Sequence, residues 1–328
     1  MPAPLLMVDD LQTEFHTPGG IVRANRGVSF ALERGETVGI VGESGSGKSV
    51  MALSLMGLIP SPPGRIVGGS IKLDGEELVG KSDHSMRHLR GSKMAMVFQD
   101  PFSSLNPTMT LGEQVAEPIR LHTGASRSEA KQQVLKLFQA VRIPEPAARY
   151  RQYPHQVSGG QRQRIMIAIA FACKPDLLIA DEPTTALDVT VQAQVLSLMA
   201  DMQKKTNAGV LIITHDLGVV AEICDRVLVM YAGMVVESGN VDQIFHSPKH
   251  PYTRGLLASL PRIDADRSQK LPSIPGQPPD LARLPQGCPF FERCAERIAD
   301  VCTASEPPLS TPETDHTVRC FHYGGTNL

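Results

Sequence analysis

The densest chemistry in the chain lies in Gly42-Glu43-Ser44-Gly45-Ser46-Gly47-Lys48-Ser49, which fits G-x-x-x-x-G-K-[ST]. Glycines let a backbone wrap a phosphate with its N–H groups, and a helix N-terminus directly after them adds positive potential at the same point. In such a loop Lys48 reaches the outer phosphates of a nucleoside triphosphate, and the Ser49 hydroxyl binds Mg²⁺. A second group follows where the apolar run Leu177-Leu178-Ile179-Ala180 ends in Asp181-Glu182. Two carboxylates at the exit of a buried strand suit a cation and a water. Asp181 would hold Mg²⁺, and Glu182 would orient and deprotonate an attacking water. A glutamate directly after the metal-binding aspartate favours hydrolysis over transfer to a second substrate.

The elements that must carry these groups are legible beside them. Thr37-Val38-Gly39-Ile40-Val41 predicts a short buried strand before the glycine loop. Met51, Ala52, Leu53, Leu55, Met56 and Leu58 predict a helix after it, stopping at Pro60. Ser158, in Val157-Ser158-Gly159-Gly160-Gln161, predicts the cap of a helix whose apolar body includes Ile165, Ile167, Ala168, Ile169 and Phe171. The exposed N–H groups at that end offer an anion site. Leu111, Val115, Ile119, Val134, Leu135 and Leu137 recur at mostly helical spacing.

Composition narrows the class. The chain has 328 residues, 41% of them apolar, enough for a sizeable core and slightly long for one average domain. A net charge of −2 lacks the basic field of a general nucleic-acid binder. No apolar run approaches the ~18 residues of a membrane helix, and Asp9 and Asp10 stand where a signal peptide would be apolar, so a cytosolic chain is expected. Twelve of the 26 prolines fall in residues 245–328 and four of the six cysteines after residue 287. This shift marks a large α/β domain over 1–260 and a small loop-rich extension over 261–328.

The segment Val157-Ser158-Gly159-Gly160-Gln161 resembles the ABC-transporter signature, with Val157 in place of the usual leucine. The other motifs of that family stand in its order. Gln99 resembles the Q-loop glutamine, Ala186-Leu187-Asp188 the D-loop, and His215 the switch histidine. The resemblance covers about residues 5–260. It implies an ABC-type P-loop ATPase cassette: a RecA-like core, an antiparallel β-subdomain and a helical subdomain over about 100–170. It also implies ATP held between two cassettes packed head to tail. The glycine loop, Gly42 to Ser49, faces Ser158, Gly159, Gly160, Gln161 and Asp188 of the neighbour. Gln99 joins Ser49 and Asp181 around Mg²⁺, His215 contacts the γ-phosphate, and Phe15 stacks on adenine or, in the alternative, serves only the core of the β-subdomain. Catalysis then falls to Glu182, His215 and Gln99. The pore, lacking any spanning segment here, is a separate chain. A soluble ABC protein acting on DNA or ribosomes is the alternative; the long coiled coil or second cassette of those types is absent from this sequence.

Cys288, Cys294, Cys302 and Cys320 have neither zinc-knuckle nor bacterial-ferredoxin spacing. Disulfides are a poor account of them in a reducing compartment. Cys173 and Cys224 lie in apolar contexts and read as small core residues. The tail, through His250-Pro251-Tyr252-Thr253, Gly287-Cys288-Pro289-Phe290, Arg293-Cys294 and Val318-Arg319-Cys320-Phe321-His322-Tyr323, resembles the C-terminal extension of bacterial dipeptide/oligopeptide importer ATPases. That resemblance implies an extension that can hold a [4Fe–4S] cluster; zinc, helped by His316 or His322, and free thiols stay open. It further implies two permease subunits, a second cassette from a different chain, a substrate-binding protein, no nucleic acid, and a place at the cytoplasmic face of the membrane.

Overall fold

A computed structural model describes residues 3–184, 188–260 and 272–324. Ala186 and Leu187 lie outside these residues. The chain forms two compact units, one of residues 1–6, 32–36 and 73–213, the other of residues 7–31, 37–72 and 214–328.

The first unit carries three parallel strands, Met94–Val97, Leu177–Asp181 and Gly209–Ile213, with Leu177–Asp181 in the middle. All five residues of Leu177–Asp181 are buried, and so are all five of Gly209–Ile213. A strand covered on both faces reads as a continuous apolar run, which is why Leu177-Leu178-Ile179-Ala180 was visible in the sequence. The helix Leu111–Thr123 packs on Arg127–Ala140 and on Gly159–Ala170. Leu111, Val115, Ile119 and Val134 are buried as their spacing predicts. Phe138 joins them, whereas Leu135 and Leu137 are only half-buried.

The second unit contains a sheet in the order Ser310–Glu313, His316–Val318, Met234–Asn240, Arg226–Tyr231, Thr37–Val41. The last two strands run parallel, with Val38 opposite Arg226 and Val41 opposite Val229, and the others are antiparallel. A separate sheet places Leu6–Thr17 between Gly20–Leu32 and Gly64–Leu73. Its first two strands are joined by only two residues, a connection that antiparallel neighbours permit. The core of the unit gathers Val41, Val229, Tyr231, Val236, Tyr252 and Phe290, with Cys288 and Cys294 packed against it.

A buried carboxylate fastens the C-terminal strand His316–Val318 to the sheet. Glu237 is fully buried and accepts hydrogen bonds from Lys249 N at 2.6 Å, His250 N at 2.9 Å and His316 Nε2 at 2.8 Å. Leaving a buried carboxylate short of a donor costs about 1.5–3 kcal/mol. His316→Ala is therefore expected to lower the unfolding free energy by about that amount, and His316→Gln, which keeps a donor, by less. Denaturant titration of the two variants checks this.

Candidate functional site

The glycine loop, Gly42 to Gly47, joins the buried strand Thr37–Val41 to the helix Lys48–Leu55. The helix is shorter than its apolar spacing predicts, since Leu58 lies outside it and is exposed. Gly42 and Gly47 are required by space as well as by conformation. At Gly42, φ +153, a Cβ would stand 2.2 Å from Met230 O, and at Gly47, φ +103, 2.3 Å from Ala24 O. With no Cβ at either position the loop backbone passes close against the neighbouring carbonyls. Lys48 Nζ donates to Gly42 O at 2.7 Å and Glu43 O at 2.9 Å, so the ammonium lies against the loop it serves. Ser44, Gly45 and Ser49 are exposed.

His215 belongs to the same unit. Thr214 N donates to Ile40 O at 3.2 Å, which sets His215 one residue past a bond to the loop-bearing strand. His215 is exposed, and Asp216 after it caps the helix Leu217–Ile223 through Gly218 N at 2.9 Å. Phe15 is half-buried in Leu6–Thr17, its ring close against Gly64.

In the first unit, Asp181 ends its strand as a buried carboxylate. Glu182 follows with φ 47, in the left-handed region that a bulky residue occupies only at a cost of about 1–3 kcal/mol. Glu182 N donates to Ile213 O at 2.8 Å, and Gln99 Nε2 donates to Glu182 Oε2 at 2.7 Å. The strained backbone thereby holds the carboxylate beside Gln99 instead of letting it follow the strand outward. Gln99 and Glu182 were singled out separately from the sequence, and they meet here.

Ser158 caps the helix Gly159–Ala170 in a reciprocal box. Its hydroxyl accepts from Gln161 N at 3.4 Å, and Gln161 Oε1 accepts from Ser158 N at 3.3 Å. Ser158 is exposed, with Gly159 and Gly160 half-buried behind it, so this helix end faces outward. Asp188 caps Val189–Thr206 by accepting from Val191 N at 2.9 Å.

Two residues that sequence reasoning did not assign hold the glycine loop from the C-terminal side. Tyr252 Oη accepts from Glu43 N at 2.8 Å. Arg293 donates to both oxygens of Glu43, Nη1 to Oε2 at 2.6 Å and Nη2 to Oε1 at 2.9 Å. Both stand in stretches that resemble the importer extension, His250-Pro251-Tyr252-Thr253 and Arg293-Cys294; that resemblance was the one signal for them.

Cys288, Cys294, Cys302 and Cys320 line one cavity, walled also by Phe290 and Phe321. Cys288 N donates to Cys302 O at 2.7 Å, which ties the two cysteines' backbones together. Burial, with the other cysteines nearby, pushes the Cys288 thiol up to about 12; burial also raises Cys294 and Cys320. Among the described residues no group of three or more His, Cys, Asp or Glu side chains is arranged to hold a metal ion. The four thiols thus share a cavity without forming a ready ligand set for one ion. Of the expected zinc helpers, His316 is engaged with Glu237, and His322 lines the cavity with Nε2 2.8 Å from Glu296 O. Cys224 is pushed up to about 12, first by burial and then by Asp225, and burial raises Cys173 as well, in keeping with packing roles.

A glycine phosphate loop on a buried strand, an acidic strand end paired with a glutamine, and a serine-capped signature helix define a nucleotide-binding cassette. The model for the ABC transporter family matches residues 25–185, and that for the oligopeptide/dipeptide transporter C-terminal region matches residues 236–302. The dipeptide transport ATP-binding protein DppD of Bacillus subtilis is 50% identical over 97% of this chain and 94% of its own. The oligopeptide transport ATP-binding protein OppD of Escherichia coli is 50% identical over 97% and 93%. Among solved structures, a dimeric ATP-binding cassette in a post-hydrolysis state with ADP and Pi has a TM-score of 0.65 at 28% identity, covering 72% of this chain and 98% of that one. The chain belongs to the ATP-binding proteins of the ABC transporter family, in the group carrying the oligopeptide/dipeptide transporter C-terminal region. The expected ABC cassette fold is the fold observed. No helix among the described residues is long and apolar enough to cross a membrane.

Proposed function

We propose that this chain is the ATP-hydrolysing subunit of a di/oligopeptide importer, seated peripherally at the cytoplasmic face of the membrane on two permease subunits. The reading is carried by the half-identity over nearly the whole chain to di- and oligopeptide transport ATP-binding proteins. A second cassette, a different chain, and a substrate-binding protein complete the complex. Residues 1–260 form the cassette, with its helical part over about 100–170, and 261–328 the extension.

Within the cassette each residue takes a distinct part. The backbone from Gly42 to Gly47 and the Lys48 ammonium hold the phosphates, and Phe15 lies against the adenine. Ser49, Gln99 and Asp181 hold Mg²⁺, whose charge offsets that of the phosphates. Glu182 takes the proton from the attacking water, and Gln99 keeps its carboxylate turned toward that water. His215 touches the γ-phosphate. Ser158, Gly159, Gly160, Gln161 and Asp188 complete the site of the neighbouring cassette. Nucleotide that bridges two cassettes binds the closed pair better than the open one, so it favours closure, and its cleavage releases it.

The test is purification of the chain from its own membranes under mild detergent. Two membrane subunits in stoichiometric amount, and ATPase activity stimulated by peptide-loaded binding protein, are the expected outcome. Recovery with ribosomes or DNA instead would overturn the reading.

The extension is read as the seat of a [4Fe–4S] cluster on Cys288, Cys294, Cys302 and Cys320. Support comes from the shared cavity with its aromatic walls. A single zinc needs its sulfurs about 2.3 Å from one point, whereas a cluster spreads its thiolates over separate irons. Such a group would staple a segment too small to hold itself by its own core. Anaerobically purified protein is expected to be brown, with iron and sulfide in equal amounts, and to lose the colour when the four cysteines are replaced together. A colourless sample with one zinc overturns the iron assignment.

A further inference from the structure

The phosphate loop is gripped at one residue by two elements that also build the cysteine cavity. Glu43 is the second residue of the loop. Its N–H goes to Tyr252 Oη, and its carboxylate receives both arms of the Arg293 guanidinium. Arg293 is 5% exposed in its side chain and Glu43 27%, so the guanidinium is shielded from water and salt while the carboxylate stays partly open to them. The guanidinium is fixed on its other side by Nε donating to Pro275 O at 2.9 Å and by Nη1 donating to Tyr231 Oη at 3.4 Å. Two parallel N–H···O bonds to a carboxylate, with the donor already oriented, make a stiff joint.

Both grips lead to the same place. Arg293 ends the turn Phe291–Arg293, whose next residue is Cys294. Tyr252 packs against Phe290 with ring centroids 5.5 Å apart, and Phe290, Phe291 and Cys294 all line the cysteine cavity.

We propose that Arg293 is a positioning residue for the phosphate loop, so that nucleotide occupancy and the packing of the cysteine cavity are linked. The inference rests on the reading that the glycine loop binds ATP. A Gly- and Ser-rich loop has many conformations, and one held in its binding form loses less freedom when the ligand arrives. Linkage is reciprocal: whatever the joint adds to ATP affinity, ATP adds to the order of the joint.

The test uses the full chain and a fluorescent ATP analogue, mant-ATP, with Mg²⁺. Arg293→Ala and Glu43→Ala are each expected to weaken binding about tenfold, the scale of a charge-assisted hydrogen-bond pair. The double variant is expected to be no weaker than the worse single one. Arg293→Lys, which cannot grip both oxygens, should fall between. Arg87→Ala, which breaks an exposed ion pair with Asp83 that touches neither the loop nor the cavity, should bind within twofold of the parent. Hydrogen exchange at residues 288–294 should slow on adding MgATP, and this slowing should vanish in Arg293→Lys or Arg293→Ala, whichever folds better. Binding within twofold in Arg293→Ala, multiplied losses in the double variant, or exchange at 288–294 indifferent to MgATP in the parent each overturn the linkage. A Lys48→Ala variant that still binds mant-ATP would instead sink the loop reading itself.

Discussion

Glu182→Gln is expected to leave a cassette that pairs around ATP and does not split it. The carboxylate is held by a left-handed backbone and by Gln99 Nε2 at 2.7 Å, and both constraints survive the change because a Gln side-chain oxygen still accepts that bond. What disappears is the base. Removing a positioned general base costs about 10²–10⁴-fold in rate. The neutral side chain also removes a negative charge from the neighbourhood of the γ-phosphate, so affinity should rise, not fall. Phosphate release measured beside light scattering in MgATP separates the two effects: turnover at background, mass doubled with a partner cassette present. Near-parental turnover would place the base elsewhere. A variant that stayed monomeric with MgATP bound would remove the idea that nucleotide joins paired cassettes.

Gly47→Ala is the second large effect, and its cause is backbone geometry. With φ +103, an L side chain is strained there, and its Cβ would stand 2.3 Å from Ala24 O and 3.1 Å from Asn25 Nδ2. The carbonyl belongs to a strand and cannot swing aside like a flexible side-chain tip. Strain of about 1–3 kcal/mol and overpacking of similar size act together. The loop relieves them by moving the peptide before Lys48, which shifts the N–H groups meant for the phosphate. Binding of mant-ATP is expected to fall below detection, with the unfolding midpoint also lowered. Gly45→Ala is the contrast. Gly45 has φ +78 and nothing within 4 Å of its ideal Cβ, so only the conformational cost of about 1–2 kcal/mol applies. Equal loss of stability in the two variants would show that the contact with Ala24 does not matter.

The parts of the site that repeat a local physical rule were legible in the sequence. Buried parallel strands are continuous apolar runs, so Thr37–Val41 and Leu177–Asp181 stood out, and the phosphate loop and acidic end followed from what terminates them. Ser158 was legible as a cap because its partner Gln161 lies three residues on. What stayed hidden depends on distant pairs. Arg293 and Glu43 are 250 positions apart, and nothing near either of them names the other. The same holds for Glu237 and His316, 79 positions apart, where a glutamate in an apolar strand gives no hint that three donors surround it. The left-handed turn at Glu182 was equally silent, because an acidic residue carries no mark of positive φ.

The strand His316–Val318 covers one side of Met234–Asn240, whose first four residues are all buried. A chain cut before that strand would bare the backbone amides and carbonyls around Glu237 and Ser238 on a largely buried strand, an open edge of the kind on which proteins polymerise. Shortened versions of this protein are therefore expected to be recovered as aggregates even where every residue of the phosphate loop is intact.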